Sequence, residues 1–350
     1  MTAKKQNAYE VVTAALIDMM EKGGAQWAQR WMTSPAAMPH RVTGEAYRGI
    51  NQLILGMIGA DRGFQSPTWM TFKQAKELGG MVRKGESSSP VVFFSTIEKD
   101  GEGDQGGEDG ESRRIAFARL YRVFNVDQID GLPDRFAVIP AAPVATGNVR
   151  NEVAEAALRA TGAKISEDGG NGAFYRPSTD SIHLPTFERF NTADDYLATL
   201  AHELCHWTGA AHRLDRKLLN KFGSKDYARE ELVAELGAAC VCNALGVAGP
   251  HIESHAAYLT SWMKSLKEDS RAIFRAASAA QAAADMVLGR VGVSAKPAAA
   301  PKAAKAEPAR EVQLAKLQAV SPLRSIQPQE GLADAPLFAA MIQPDLFAAA

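Results

Sequence analysis

The stretch His202-Glu203-Leu204-Cys205-His206 constrains this chain more than any other, because H-E-x-x-H makes chemical sense only on a helix. Residues four apart on a helix share a face one turn apart, so both imidazoles reach a single metal ion and Glu203 projects beside it. Two histidines, one further protein ligand and an open position for water make the catalytic zinc arrangement. There the metal acidifies water and the carboxylate takes its proton. A helix must form here, and another element must deliver the third ligand.

The flanks supply the helix. Thr192-Ala193-Asp194-Asp195 places a capping threonine three residues before an acid, Tyr196, Leu197, Leu200, Leu204 and Trp207 give an apolar face, and Gly209 can end it. The third ligand has two sources. His212 completes His202-Glu203-x-x-His206-x-x-Gly209-x-x-His212, a metzincin pattern, although Met263 and Met286 lie in helical, alanine-rich surroundings that do not suit a Met-turn. The other source is Tyr227 to Leu245, YAREELVAELGAACVCNAL, a helical pattern closed by Gly246. Glu231 and Glu235 stand four apart on it, one placed to bind metal and the other to orient a histidine. Two acids on the inner face of an apolar helix need such compensation. Glu230 reads as solvent-facing.

Upstream the texture differs. Asn7 can cap a helix that carries Ala8, Val12, Leu16, Met19 and Met20 at helical spacing. Between Trp27 and Phe94, aromatic residues interleave with arginines and lysines, a composition that suits single-stranded nucleic acid, where cations track phosphates and rings stack on bases. Val91 to Phe94 and Ile115 to Val126 read as strands. Between them the glycine- and acid-rich residues 98–112 form an insertion expected to be disordered. The prolines of Leu132 to Gly147 mark a boundary. Beyond it Glu152 to Thr161 reads as a helix, Lys164 to Ser166 and Ala173 to Arg176 as short strands, and Ser181 to Pro185 as an edge strand that could pair with an extended peptide.

Three blocks in order, Tyr47-Arg48-Gly49-Ile50-Asn51, Trp69-Met70-Thr71-Phe72-Lys73-Gln74-Ala75 and Leu78 to Glu86, resemble the N-terminal domain of the ArdC antirestriction family. That domain also occurs in plasmid TraC-type primases and is regarded as binding single-stranded DNA. The resemblance covers Val11 to Leu132 and implies DNA contacts at Trp27, Trp31, Tyr47, Arg48, Asn51, Trp69, Lys73, Gln74, Arg83 and Lys84. Downstream, Leu184-Pro185, Phe187, His202-Glu203-Leu204-x-His206-Trp207-Thr208-Gly209, Arg213-Leu214-x-Arg216 and Tyr227 to Leu236 resemble the zincin-type metallopeptidase domain that follows in ArdC-like proteins. The resemblance implies Zn2+, or another divalent metal such as Mn2+, on His202, His206 and Glu231. It makes Glu203 the base and Glu235 the residue behind a ligand, with His212 outside the set. Tyr258 to Leu288 is similar to the family's closing helices.

A net charge of −1 implies no nucleic-acid partner for the whole chain, so any DNA surface must be local. Cys205, Cys240 and Cys242 fall in apolar helical patterns and read as reduced core thiols. With no apolar leader at the N-terminus and no apolar run that could span a bilayer, the expectation is a cytoplasmic protein without a membrane partner. From Ser294 onward, alanine, proline and lysine dominate. Near the end, Gln343-Pro344-Asp345-Leu346-Phe347 resembles the short peptide with which replication proteins dock on the bacterial sliding clamp.

The expected protein is therefore α+β. A single-stranded DNA-binding domain spans 1–135, a linker 136–148, a mainly helical zincin-like domain with a small sheet 149–292, and a low-complexity tail 293–350. The expected function is that of a plasmid-type antirestriction protein, associated with conjugation, which binds single-stranded DNA and hydrolyses peptide bonds of an unidentified protein. The alternative is protection by DNA occupancy alone, with a structural or inactive metal site.

Overall fold

Asn7 caps the first helix as its position suggests, its side-chain oxygen accepting the Tyr9 amide at 3.1 Å. The structure is a computed structural model that describes residues 7–23, 38–99, 113–136, 148–218, 224–247 and 255–289. The linker residues 137–147, residues 100–112 of the acidic insertion and the tail from 290, with Gln343, Leu346 and Phe347, lie outside them.

Helix α1 (Ala8–Gly23) turns Val12, Leu16 and Met20 inward. A four-stranded sheet follows, in the order β1-β2-β5-β4, from β1 (His40–Arg41), β2 (Thr68–Met70), β4 (Ser89–Lys99) and β5 (Arg113–Asn125). β4 and β5 form an antiparallel hairpin in register from Ser89↔Val123 to Lys99↔Arg113. Helix α2 (Ile50–Arg62) runs against β4, where Asn51 exchanges two hydrogen bonds of 2.7 Å with the Val92 backbone. Helix α3 (Phe72–Glu77) starts at a capping box between Thr71 and Gln74. β3 (Met81–Val82) pairs with β6 (Ile129–Asp130).

The second half begins with α4 (Glu152–Arg159) and a three-stranded sheet of β7 (Lys164–Ser166), β8 (Phe174–Arg176) and β9 (Ser181–His183), in the order β7-β9-β8. The expectation of an edge strand at Ser181 to Pro185 is corrected: β9 is central, pairing parallel with β7 and antiparallel with β8. Pro185 lies beyond the last paired residue, so it interrupts no ladder hydrogen bond. Four helices complete the fold: α5 (Ala193–Thr208), α6 (Lys225–Leu245), α7 (His255–Glu268) and α8 (Ala272–Val287). No helix among the described residues is long and apolar enough to cross a membrane.

One hydrophobic cluster joins Val12 and Leu16 of α1, Ile54 and Leu55 of α2, and Trp69 to Leu232 and Leu236 of α6, Trp262, and Ile273 and Phe274 of α8. A second gathers Leu158, Ile182, Tyr196, Leu200 and Leu204 with Val241, Ala284 and Val287. α8 thus serves both clusters, its first half packing on the N-terminal elements and its last turn on the H-E-x-x-H helix. Each fully buried large apolar side chain contributes about 1.5–3 kcal/mol, so this shared helix makes the two halves interdependent.

Candidate metal centre

Helix α5 forms where its sequence calls for it. Thr192 Oγ1 accepts the Asp195 amide at 3.0 Å, and Tyr196, Leu197, Leu200 and Leu204 are 0–1 % exposed. Helix α6 packs against α5 at short range because Gly237 has no Cβ: one built there would stand 2.7 Å from Cys205 Sγ. That approach brings Glu231 opposite the two histidines.

The Nε2 atoms of His202 and His206 are 3.1 Å apart, and each lies 3.7 Å from a different oxygen of Glu231. Ligand atoms ~2.0–2.2 Å from a tetrahedral ion stand about 3.3 Å from one another, so these three fit a divalent cation. They are the one group among the described residues whose possible ligand atoms converge in this way, all within 4.8 Å. Their orientation comes from behind. Glu235 Oε1 lies 3.4 Å from His202 Nδ1, and Glu230 Oε1 lies 3.2 Å from His206 Nδ1. A carboxylate on each Nδ1 turns the lone pair of each Nε2 toward the centre.

Glu230 corrects the expectation of a solvent-facing residue, since it is 8 % exposed. Arg216 holds it through Nε at 3.0 Å and Nη2 at 2.9 Å, and the same guanidinium donates to Thr208 Oγ1 and to the Cys205 carbonyl at the end of α5. Gly209 makes room for this arginine, because a Cβ there would meet Arg216 Nη2 at 2.9 Å. One signal in the sequence pointed this way: residues 232–234, 236, 238, 239 and 241 of α6 are apolar on more than one face, as in a helix buried all round. A carboxylate one residue from a ligand on such a helix has little chance of reaching water.

Electrostatics set the resting state. Burial raises the Glu203 carboxyl to about 7, with His206 opposing, Glu231 adding to the rise and the Tyr175 backbone amide offsetting it through a hydrogen bond. Burial also pushes Glu235 well above the usual carboxylate range, and the Glu231 charge adds to it. For His206, burial works against the charged form, but the Glu230 hydrogen bond and the charges of Glu231 and Glu203 prevail and raise it to about 9. Burial likewise disfavours the Glu230 carboxylate, yet hydrogen bonds from His206 and Arg216 bring its pKa below the ordinary value.

His212 stands apart from this centre. It is exposed and faces Asp180 and Arg213. Arg213 lies over the Trp207 ring at 3.9 Å, donates to the Trp207 carbonyl, and bonds Asp180 and the Tyr175 hydroxyl. The guanidinium pulls the Asp180 carboxyl down to about 2. This cluster ties the β8–β9 turn to the end of α5, and so holds Tyr175 against Glu203. His183 is also away from the centre, bonded to Asp168 and Ser181 and stacked on Phe174. Cys205 and Cys242 are buried, and all three cysteines are free thiols.

The residues expected to touch DNA have varied settings. Trp27 and Trp31 lie outside the described residues. Trp69 is 0 % exposed and Tyr47 8 %, so both rings are core and present no face to a base. In the remainder of the first block, Arg48 and Gly49 join the two halves while Asn51 stays within the first. Arg48 pairs with Asp285 of α8, the Gly49 amide donates to Gln281, and Asn51 holds β4. Gln74 is spent on the α3 cap, and Arg83 on Glu86, Asp130 and the Asp127 carbonyl. Lys73 and Lys84 are exposed, Lys73 near Glu77.

Comparison with known proteins places these features in context. Residues 6–124 match the N-terminal domain of the anti-restriction factor ArdC, and residues 152–279 match the zincin-like metallopeptidase family. The DNA primase TraC of Escherichia coli is 41 % identical over 303 residues, 81 % of this chain, which spans only 20 % of that protein's length. The uncharacterized protein y4eC of Sinorhizobium fredii is 40 % identical over 79 % of this chain and 90 % of its own. Among solved structures, the metal-free antirestriction ArdC protein from the R388 plasmid has a TM-score of 0.68 and 43 % identity, over 80 % of this chain and 96 % of that one. The Mn(II)-bound structure of the R388 protein matches at the same TM-score and 41 % identity, over 81 % and 98 %.

Proposed function

Because this chain belongs to the family of ArdC antirestriction proteins, with an ArdC N-terminal domain followed by a zincin-like metallopeptidase domain, we propose that it binds single-stranded DNA and hydrolyses peptide bonds at a divalent metal centre. The observation that carries the hydrolytic part is the convergence of His202, His206 and Glu231 beside the buried Glu203. The R388 ArdC protein has been solved with Mn(II), which favours Mn2+ here, and the donor set of two imidazoles and a carboxylate also suits Zn2+.

When bound, the ion supplies Lewis acidity toward water and a carbonyl oxygen. Glu203 takes the proton from the attacking water and returns it to the leaving amine, a role its burial beside the centre positions it for. Glu235 and Glu230 fix the two imidazoles, and Glu231 completes the ligand set. β8 lies at the edge of its sheet and touches Glu203 through Tyr175, so a substrate strand pairing along it would pass the centre.

Glu203→Gln separates cleavage from occupancy. In cells receiving DNA under restriction, the variant should keep its metal and its DNA binding and lose protection. Undiminished protection would mean that occupancy alone protects. For the tail, deletion of 343–347 should abolish binding to the sliding clamp; unchanged affinity would remove the clamp as a partner.

A further inference from the structure

The outer face of the β4–β5 hairpin carries a feature that neither the metal centre nor the sequence-expected DNA residues use. β5 reads RRIAFARLYRVFN, with four arginines and no acid. Strand alternation sorts its side chains. Ala118 and Leu120, with Val92 on β4, pack toward the core, and Phe94, opposite Ala118, shares that face at 39 % exposed and meets Phe274 at 6.1 Å. Phe93, Arg119 and Tyr121 therefore share the other face. Phe93 is the register partner of Arg119, and the Phe93 and Tyr121 rings stand 6.1 Å apart at 87°. Tyr121 is 44 % exposed, Phe93 is half-buried and Arg119 is exposed.

We propose that this face, led by Tyr121 with Phe93 and Arg119, is the stacking platform on which the protein binds single-stranded nucleic acid. The inference rests on the DNA-binding reading above and moves its aromatic contacts from the buried Trp69 and Tyr47 to the hairpin. Two observations favour this ligand class. The described arginines of β5, Arg119 on this face and the exposed Arg122 beside it, complement a polyanion, and an exposed ring beside a guanidinium can take an unpaired base while the cation meets its phosphate. A duplex hides its base faces and would use the charge alone.

The test is fluorescence anisotropy of a labelled oligothymidylate with the full-length protein, across a salt series. Tyr121→Ala should weaken binding about tenfold or more, as loss of one stacked base does, with the melting temperature kept. Tyr121→Phe, which keeps the ring, should bind as the wild type does. Arg119→Ala should make the salt slope shallower by about 0.7, the value for one phosphate contact on a single strand. Wild-type binding that Tyr121→Ala and Arg119→Ala both leave unchanged would overturn the platform and spare the DNA-binding reading. A wild-type protein that binds no oligonucleotide would overturn both.

Discussion

Glu230 Oε1 stands 3.2 Å from Nδ1 of His206, and Arg216 clamps that carboxylate from its other side. The His206 imidazole is thus the inner end of a chain that starts at an arginine bonded to the carbonyl end of the helix on which it sits. Losing an outer-shell partner of a metal ligand typically costs 10–100-fold in metal affinity. Glu230→Gln should raise the apparent Kd for Zn2+ or Mn2+ by that factor in titration calorimetry. Arg216→Ala should do the same and also lower the stability of the metal-free protein by about 1–3 kcal/mol, because the buried Glu230 carboxylate then keeps only its hydrogen bond to His206. Metal affinity within twofold of wild type in both variants would reduce the chain to a structural ion pair.

The close approach of α5 and α6 is a second lever. Gly237→Ala would set a methyl 2.7 Å from Cys205 Sγ and force the helices apart, at about 1–3 kcal/mol of stability. Glu231, on the same helix, should then reach the histidines poorly and metal affinity should fall. Adding Cys205→Ala removes the sulfur and leaves the Cβ of residue 205 and the Ala280 carbonyl oxygen, each 3.5 Å away in ordinary contact, so the double variant should recover much of the loss. Additive destabilisation would show that the glycine is not there for this contact.

Metal binding should depend on pH through His206. Its pKa is raised to about 9 in the metal-free protein, mainly against burial and through Glu230, so an ion binding at neutral pH must displace a proton. Affinity should climb between pH 6 and 9 by up to about tenfold per unit, with proton release visible as a buffer-dependent calorimetric heat. In the metal-free protein the sign reverses. The raised pKa stabilises the fold fully below the unfolded imidazole value of about 6.5, and that contribution disappears as pH rises through about 9. Pairing metal-free melting curves with metal titrations over the same pH range checks both signs.

The sequence made the metal helix legible because its signals are local. A cap at Thr192, an apolar face and the i, i+4 histidines all depend on neighbours within a few turns, and Glu231 with Glu235 repeated the spacing. Glu230 and Arg216 were missed because their roles depend on how α5 and α6 approach each other, which Gly237 and Gly209 permit at long range. The interleaved aromatics misled for a similar reason. Trp69 and Tyr121 look equivalent in composition, and only the sheet register assigns one to the core and the other to the outer face. β9 read as an edge strand because a proline follows it, although sheet order is set by β7 and β8.

The central claim is that Glu203 works as a base at a metal held by His202, His206 and Glu231, and the most direct measurement is the formation of new amino termini. Wild-type protein and Glu203→Gln, brought to equal bound metal, are incubated with bacterial extract and single-stranded DNA, and the new peptide termini are counted by mass spectrometry. The account predicts termini that need wild-type protein and metal and are absent with Glu203→Gln. Identical terminus profiles for the two proteins at equal metal loading would contradict it.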